Sequence, residues 1–214
     1  MNLKALVTKA QKQGWASGSG DVDSIRTQAA SMGWIEVAPR RSDATVSVLR
    51  PVDASAAHPN SLSAVYGLGQ QPLHTDGAHL PDPPDYVVLV SQRPSATPTQ
   101  LWRAPRVMRA VYSTPLRHGM FLVRNGRDSF YAPAFSRSRY RYDPGCMSPC
   151  DARARQVEEH FTNQLARAIP HEWSRGGQVL VIDNRRTLHA RRAVAEDDLD
   201  RELTRVSFRA VAAQ

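Results

Sequence analysis

At 214 residues and 41% apolar content, with 15 Pro and 12 Gly, the chain is long enough for one domain with a sizeable core and suits a loop-rich, β-dominated globule better than a helical bundle. Its net charge of +8 and pI near 10.1 raise nucleic acid as a partner, yet the arginines are spread out rather than massed, and a site for small anions also needs cations. No run of 18 apolar residues exists, which argues against a membrane-spanning helix, and residues 1–9 lack the long apolar core of a signal peptide, so a cytoplasmic protein is expected.

Taken in order, residues 3–13 suit a short helix and 14–20 a Gly/Ser-rich break. Asp21 or Asp23 offers an N-cap for a second helix through Ile25, Ala29 and Met32, ending at Gly33. Residues 34–37 and 45–49 alternate as strands, with Arg40-Arg41-Ser42-Asp43 as the turn between them. Residues 51–72, rich in Ala, Ser, Pro and Gly, read as a loop. Pro81-Asp82-Pro83-Pro84 forces an extended or turning path into a buried strand at 86–90. Residues 102–110 are ambiguous. Residues 120–123 and 129–131 are strands joined by an Asn125-Gly126 turn, and 137–142, alternating Arg, Ser and Tyr, belong to a polar insertion. Apolar positions at Val157, Phe161, Leu165 and Ile169 make 151–168 the clearest helix, ended by Pro170. Short strands on either side of a long insert predict a mainly β fold with flanking helices, built on a double-stranded β-helix (jelly-roll) core in a single domain spanning 1–214, with an insert or lid at about 100–178.

Cys146 and Cys150, four apart, lack two further ligands at finger-like spacing and read as free thiols in a loop. His79, His118, His160 and His171 lack a partner pattern and read as surface or structural residues. Asp183-Asn184 reads as turn chemistry.

His74 and Asp76 sit at i and i+2, so in an extended segment both side chains leave one face and can converge on a point. A third imidazole would complete a face of two histidines and one carboxylate, the ligand set of non-haem Fe(II) oxygenases. His189 is the candidate, because the apolar run Leu180-Val181-Ile182 ends in Asp-Asn turn residues shortly before it, and a basic strand at 201–209 follows. On that strand Arg201, Arg205 and Arg209 share a face if it alternates strictly, and buried arginines need anions.

Four pieces, in order, resemble the taurine dioxygenase and clavaminate synthase group of Fe(II)/2-oxoglutarate-dependent oxygenases: Leu73-His74-Thr75-Asp76, Thr97-Pro98-Thr99-Gln100-Leu101-Trp102, the stretch 173–191, and Arg201-x-x-x-Arg205. They cover about half of the chain, from about Leu73 to Arg209, with the middle unmatched. The resemblance implies Fe(II) on His74, Asp76 and His189, with 2-oxoglutarate held through its far carboxylate by Arg201 and Thr99. It implies Arg205 toward an acidic or amino-acid-like small-molecule substrate, with dioxygen as oxidant and succinate and carbon dioxide as products. A register shifted by four would give the cosubstrate to Arg205 and the substrate to Arg209. The competing expectations are desaturation or ring closure on a larger or carrier-bound substrate, and a basic nucleic-acid-binding module without catalysis.

Overall fold

In the computed structural model, which describes all residues except 41–42, 60, 106–109, 127 and 212–214 and the side chains of 110 and 111, two helices open the chain, each starting where a side chain caps it. Asn2 accepts from the Ala5 N–H (3.0 Å) at the start of α1 (Leu3–Gln13), and Asp21 accepts from the Ser24 N–H (2.8 Å) at the start of α2 (Val22–Ser31). Each buries one stripe, Leu3, Leu6, Val7 and Ala10 on the first, Ile25 and Ala29 on the second. Between them lies β1 (Trp15–Ser19), a strand where the Gly/Ser content suggests a break. The small residues serve close packing instead: a Cβ on Gly18 would stand 3.0 Å from the Leu6 side chain.

After β2 (Ile35–Glu36), β3 (Val46–Leu49) and α3 (Leu62–Tyr66), the chain passes His74 and enters β4 (Tyr86–Ser91) and β5 (Ser95–Arg103). Helix α4 (Ala110–His118) leads to β6 (Met120–Asn125), β7 (Asp128–Pro133), β8 (Phe135–Ser136), β9 (Arg139–Tyr140) and β10 (Met147–Pro149). Helix α5 (Ala152–Gln164) and a 3-10 turn at Leu165–Arg167 precede β11 (Ile169–Trp173), β12 (Gln178–Asp183), β13 (Thr187–Arg191) and β14 (Leu203–Arg209).

The major sheet runs β1-β12-β4-β14-β2, with β3 also on β14, and a second sheet runs β11-β5-β13. Alternation on the central strand sorts the core. Val87 and Leu89 join Leu101, Trp173, Leu180, Ile182 and Leu203 between the sheets, while Val88 and Val90 turn outward beneath Leu3, Leu6 and Ile25. On the far side, Val157 and Phe161 of α5 pack with Trp102 and Leu188 on the outer face of the second sheet. Phe161, 1% exposed, contributes roughly 1.5–3 kcal/mol by burial. This is the jelly roll with helices outside that the strand pattern implies. Among the described residues no helix is long and apolar enough to cross a membrane.

Four local readings change. Strands β2 and β3 do not form a hairpin with each other; both pair with β14. Arg40 and Asp43 do close a turn (3.1 Å), though Arg41 and Ser42 lie outside the described residues. Helix α5 stops at Gln164, and Ile169 and Pro170 belong to β11, the edge of its sheet, where a proline is tolerated. Residues 102–103 complete β5 and 106–109 lie outside the described residues, while the loop read at 51–72 contains the single turn and a half of α3.

The polar insertion is the β8–β9 hairpin, and it fixes the loop after Asp76. Arg139 pairs with Asp85 (2.5 Å) and donates to the Pro83 carbonyl, while Arg141 donates to the Ala78, Leu80 (2.6 Å) and Pro81 (2.9 Å) carbonyls. Its two-residue turn holds Arg137 at φ 47° and Ser138 at φ 62°, left-handed conformations that non-glycine residues adopt at a cost. Ser138→Gly should therefore raise the unfolding free energy by roughly 0.5–1 kcal/mol in urea titrations; an unchanged or lower value would mean that the turn is unstrained.

Candidate metal centre and cosubstrate pocket

His74 and His189 face each other in a β-bridge in which each N–H donates to the other's carbonyl, both at 2.9 Å. Strand β13 is itself registered on β5, with His189 opposite Leu101, so both imidazoles leave one face with ring centroids 4.5 Å apart. Asp76 brings Oδ1 to 3.8 Å from His74 Nε2 and 3.7 Å from His189 Nε2. The three potential ligand atoms lie within 4.8 Å of one another.

The protonation states suit ligation. His74 Nδ1 lies 3.0 Å from the Pro72 carbonyl, which assigns the proton to Nδ1 and leaves the Nε2 lone pair toward Asp76. Burial, with His189 alongside, pushes His74 down to about 3, so the ring is neutral. Burial alone would raise Asp76, but Arg205 and the two histidines outweigh it and hold the carboxyl well below the usual range. Two imidazoles and a carboxylate converging from one side are a donor set that fits a facially bound Fe(II).

The strand argument for His74 and Asp76 is met only in part. His74 is a single bridge residue and Asp76 already begins a turn, so its direction is set by neighbours. The Thr75 N–H donates to the Tyr142 carbonyl (2.7 Å), and Asn184 Oδ1 accepts from the Asp76 N–H (3.0 Å) while its Nδ2 donates to the carbonyls of Asp76 (3.0 Å) and Pro84 (2.9 Å).

All six predicted site residues line one chamber of about 1600 Å3. Arg201 is 4% exposed, and its Nε has no hydrogen-bond partner among the described residues. Burial, reinforced by the nearby Arg191 and partly offset by Asp198, lowers its pKa to about 10. Asp198 is otherwise engaged, accepting from Ser95 Oγ (2.7 Å) and the Thr97 N–H (2.9 Å). Thr99 Oγ1 accepts from Trp173 Nε1 (3.1 Å), so its own hydroxyl proton is available to an anion. Arg201, Arg205 and Arg209 fall on the same side as inward Leu203, as the i, i+4, i+8 spacing requires. Arg205 Nη1 lies 3.2 and 3.3 Å from the Asp76 oxygens and Nη2 donates to Ser47 Oγ (3.3 Å), whereas Arg209 pairs with Asp82 at 2.8 Å.

Three chamber or support residues escaped the sequence reading. Arg191 stands at i+2 from His189 on β13, the same offset used for His74 and Asp76, and donates to the Gly67 and Gly69 (2.8 Å) carbonyls. Asp143 lines the chamber with Oδ1 accepting from the Gly145 N–H (2.8 Å), and nothing in its sequence neighbourhood signals this. Asn184 does more than make a turn. Of the remaining histidines, His160 packs among Tyr112 and Phe161, in line with a structural reading, while His79 lines the chamber with Nε2 on the Pro39 carbonyl (2.8 Å). Cys146 and Cys150 are free.

A buried guanidinium without an acid partner is a burden on the folded state. In metal-free protein at pH 7, Arg201→Met should raise the unfolding free energy by about 1–3 kcal/mol. A fall would mean that the arginine makes compensating contacts in the fold.

Residues 109–207 match the family model described as taurine catabolism dioxygenase TauD, TfdA family; His74 and Asp76 lie outside the matched segment. No curated protein sequence matches. Among solved structures, asparagine oxygenase in complex with Fe(II), 2S,3S-3-hydroxyasparagine and succinate is similar at 19% identity and TM-score 0.75, covering 96% of this chain and 78% of its own. The non-heme iron oxygenase OrfP in complex with Fe, succinate and (3S)-hydroxy-L-Arg is similar at 18% identity and TM-score 0.71, covering 96% and 77%. PvcB from Pseudomonas aeruginosa follows at 18% identity and TM-score 0.64, covering 95% and 78%. The fold over nearly the whole chain is that of these oxygenases, and residues 109–207, a little under half of the chain, are similar to the TauD/TfdA family of dioxygenases.

Proposed function

We propose that this chain is an Fe(II)- and 2-oxoglutarate-dependent dioxygenase that hydroxylates an unactivated C–H bond of a small amino-acid-like substrate. The observation that carries the reading is one chamber lined both by a two-histidine, one-carboxylate cluster and by a buried arginine with an unpartnered Nε. His74, Asp76 and His189 would hold the iron, and Arg201 with the Thr99 hydroxyl would hold the far carboxylate of 2-oxoglutarate. When bound, iron and cosubstrate supply the oxidising chemistry, one atom of dioxygen entering the C–H bond and the other entering succinate as carbon dioxide leaves. The chain itself binds, orients and excludes water, its inner wall including Leu89 and Leu203.

Two charges support an amino-acid-like substrate. Arg205 faces the chamber beside Asp76 and can take a carboxylate. Asp143, pushed up to about 6 by burial against the opposing pull of the Gly145 N–H, offers a carboxylate to an ammonium or other cationic group. Hydroxyasparagine and hydroxyarginine in the structures it resembles support the same class. A second reading, a larger or carrier-bound substrate, is favoured by the chamber itself, since about 1600 Å3 exceeds the roughly 300–1000 Å3 of ordinary small-ligand pockets. A nucleic-acid-binding role draws no support, because Arg139, Arg141, Arg191, Arg201, Arg205 and Arg209 serve the chamber and the loops around it. Two free thiols suit a reducing compartment such as the cytoplasm.

Succinate formation, screened over free amino acids, small acids and short peptides, tests the activity. His74→Ala and His189→Ala should each lose stoichiometric iron from anaerobically loaded protein, and full retention in both would falsify the metal assignment. In anaerobic titrations of the Fe(II)·2-oxoglutarate charge-transfer band, Arg201→Ala should abolish cosubstrate binding while Arg205→Ala retains it and loses substrate-triggered turnover. The opposite pattern moves both roles one arginine along, to Arg205 and Arg209.

The raised Asp143 gives a pH dependence. A carboxyl near 6 is charged above that value and neutral below it, so cation binding is present at neutral pH and is lost as pH falls through about 6. The acid limb of kcat/KM should appear at or somewhat below pH 6, because a bound dication lowers the carboxyl further, and Asp143→Asn should remove it with a rise in KM. An unaltered limb in Asp143→Asn would exclude this residue from substrate recognition.

A further inference from the structure

Asn184 is 1% exposed and sits in the turn between β12 and β13, which the Arg186 N–H closes onto the Asp183 carbonyl at 3.1 Å. In such turns an Asx side chain ordinarily bonds its own backbone two residues on. Here Asp183 does that, its Oδ1 accepting from the Arg185 N–H at 3.2 Å. The Asn184 carboxamide is therefore free of the turn, and it spends all three of its hydrogen bonds on another segment: the Asp76 N–H, the Asp76 carbonyl and the Pro84 carbonyl. Its own N–H adds a fourth tie, to the Asp85 carbonyl at 2.9 Å.

Both groups of the Asp76 backbone are thus held by one side chain that stands five residues before His189 in the chain. On its far side Gly77 follows at φ 68°, packed so closely that a Cβ there would meet Pro84 at 2.7 Å, and the loop beyond is held by Arg141 on the Ala78 and Leu80 carbonyls. Only a carboxamide combines the acceptor and the two donors these contacts need; a carboxylate keeps the acceptor alone. Resting on the metal reading above, we infer that Asn184 is a positioning residue that sets the Asp76 carboxylate against the two histidines, so that one turn orients His189 through the chain and Asp76 through hydrogen bonds. This is the role that partners behind metal ligands play in fixing ligand orientation.

Co(II), which binds without turnover, is the probe. Its affinity by calorimetry and its d–d absorption would be recorded on the full chain for wild type, Asn184→Ala, Asn184→Asp and Tyr86→Phe, with thermal unfolding of each metal-free protein. Tyr86→Phe is the control, removing a hydroxyl that accepts from Gln11 and Arg185 (2.8 Å each) away from the centre. Both Asn184 variants should bind Co(II) about 10–100-fold more weakly and with a changed d–d spectrum, while Tyr86→Phe keeps the wild-type affinity and spectrum. The Asp variant guards against a misfolded Ala variant, and its added negative charge would by itself tighten a dication, so weaker binding there reports geometry. A folded Asn184 variant with wild-type affinity and spectrum overturns the inference, and so does loss of the folded state in both, which would assign the residue to the fold alone. A wild type that binds no Co(II), or a His189→Ala that binds it unchanged, overturns the metal reading itself.

Discussion

Everything at the centre depends on the two reciprocal backbone hydrogen bonds between His74 and His189. A strand pair slipped by one residue sends every side chain to the opposite face, so these bonds decide whether two imidazoles meet. The register is pinned on both sides, by β13 on β5 and by the Gln71 N–H on the Arg191 carbonyl (2.9 Å). Because the histidines are placed by main-chain pairing, their geometry is as rigid as the sheet. Asp76 has no such ladder and borrows its rigidity from Tyr142 and Asn184, whose elements are otherwise separate.

The basic composition follows from the same architecture. A chain rich in proline and long loops carries many carbonyls with no ladder to accept into, and buried backbone groups must be paired. A guanidinium supplies five donors in a flat fork, and Arg139, Arg141 and Arg191 each spend theirs on loop carbonyls. Lysine cannot reach several divergent acceptors in this way. The arginines facing the chamber, Arg201 and Arg205, are a different population, whose charge is not spent on loop carbonyls.

The sequence carried the parts that obey a local period. The apolar stripes of α1, α2 and α5 and the buried run of β4 were legible because burial on one face repeats at fixed spacing. The arginine series could be read because residues on one face of a strand keep even offsets, whereas the same offset between His74 and Asp76 holds only in part, Asp76 lying in a turn. What escaped was set by partners distant in sequence. The Gly/Ser stretch became β1 because α1 and β12 cover it, and Ile169 and Pro170 left the helix because β5 offers them an edge. Asn184 has the signature of a turn residue, and its contacts 108 positions away are invisible to any local pattern. Asp143 likewise gains meaning only from the chamber it enters.

The bridge between His74 and His189 also has a consequence in time. Their positions differ by 115 (189 − 74), so at roughly 5–20 residues per second the first histidine waits about 6–23 s on the ribosome before the second is made. Until five residues before its end Asp76 lacks Asn184 as well, and Thr75 lacks Tyr142 for more than half of it. A nascent chain of this protein offers a metal ion only a loose pair of side chains. The three-residue cluster cannot be complete before His189 is made, so an ion held there would be recruited late in synthesis.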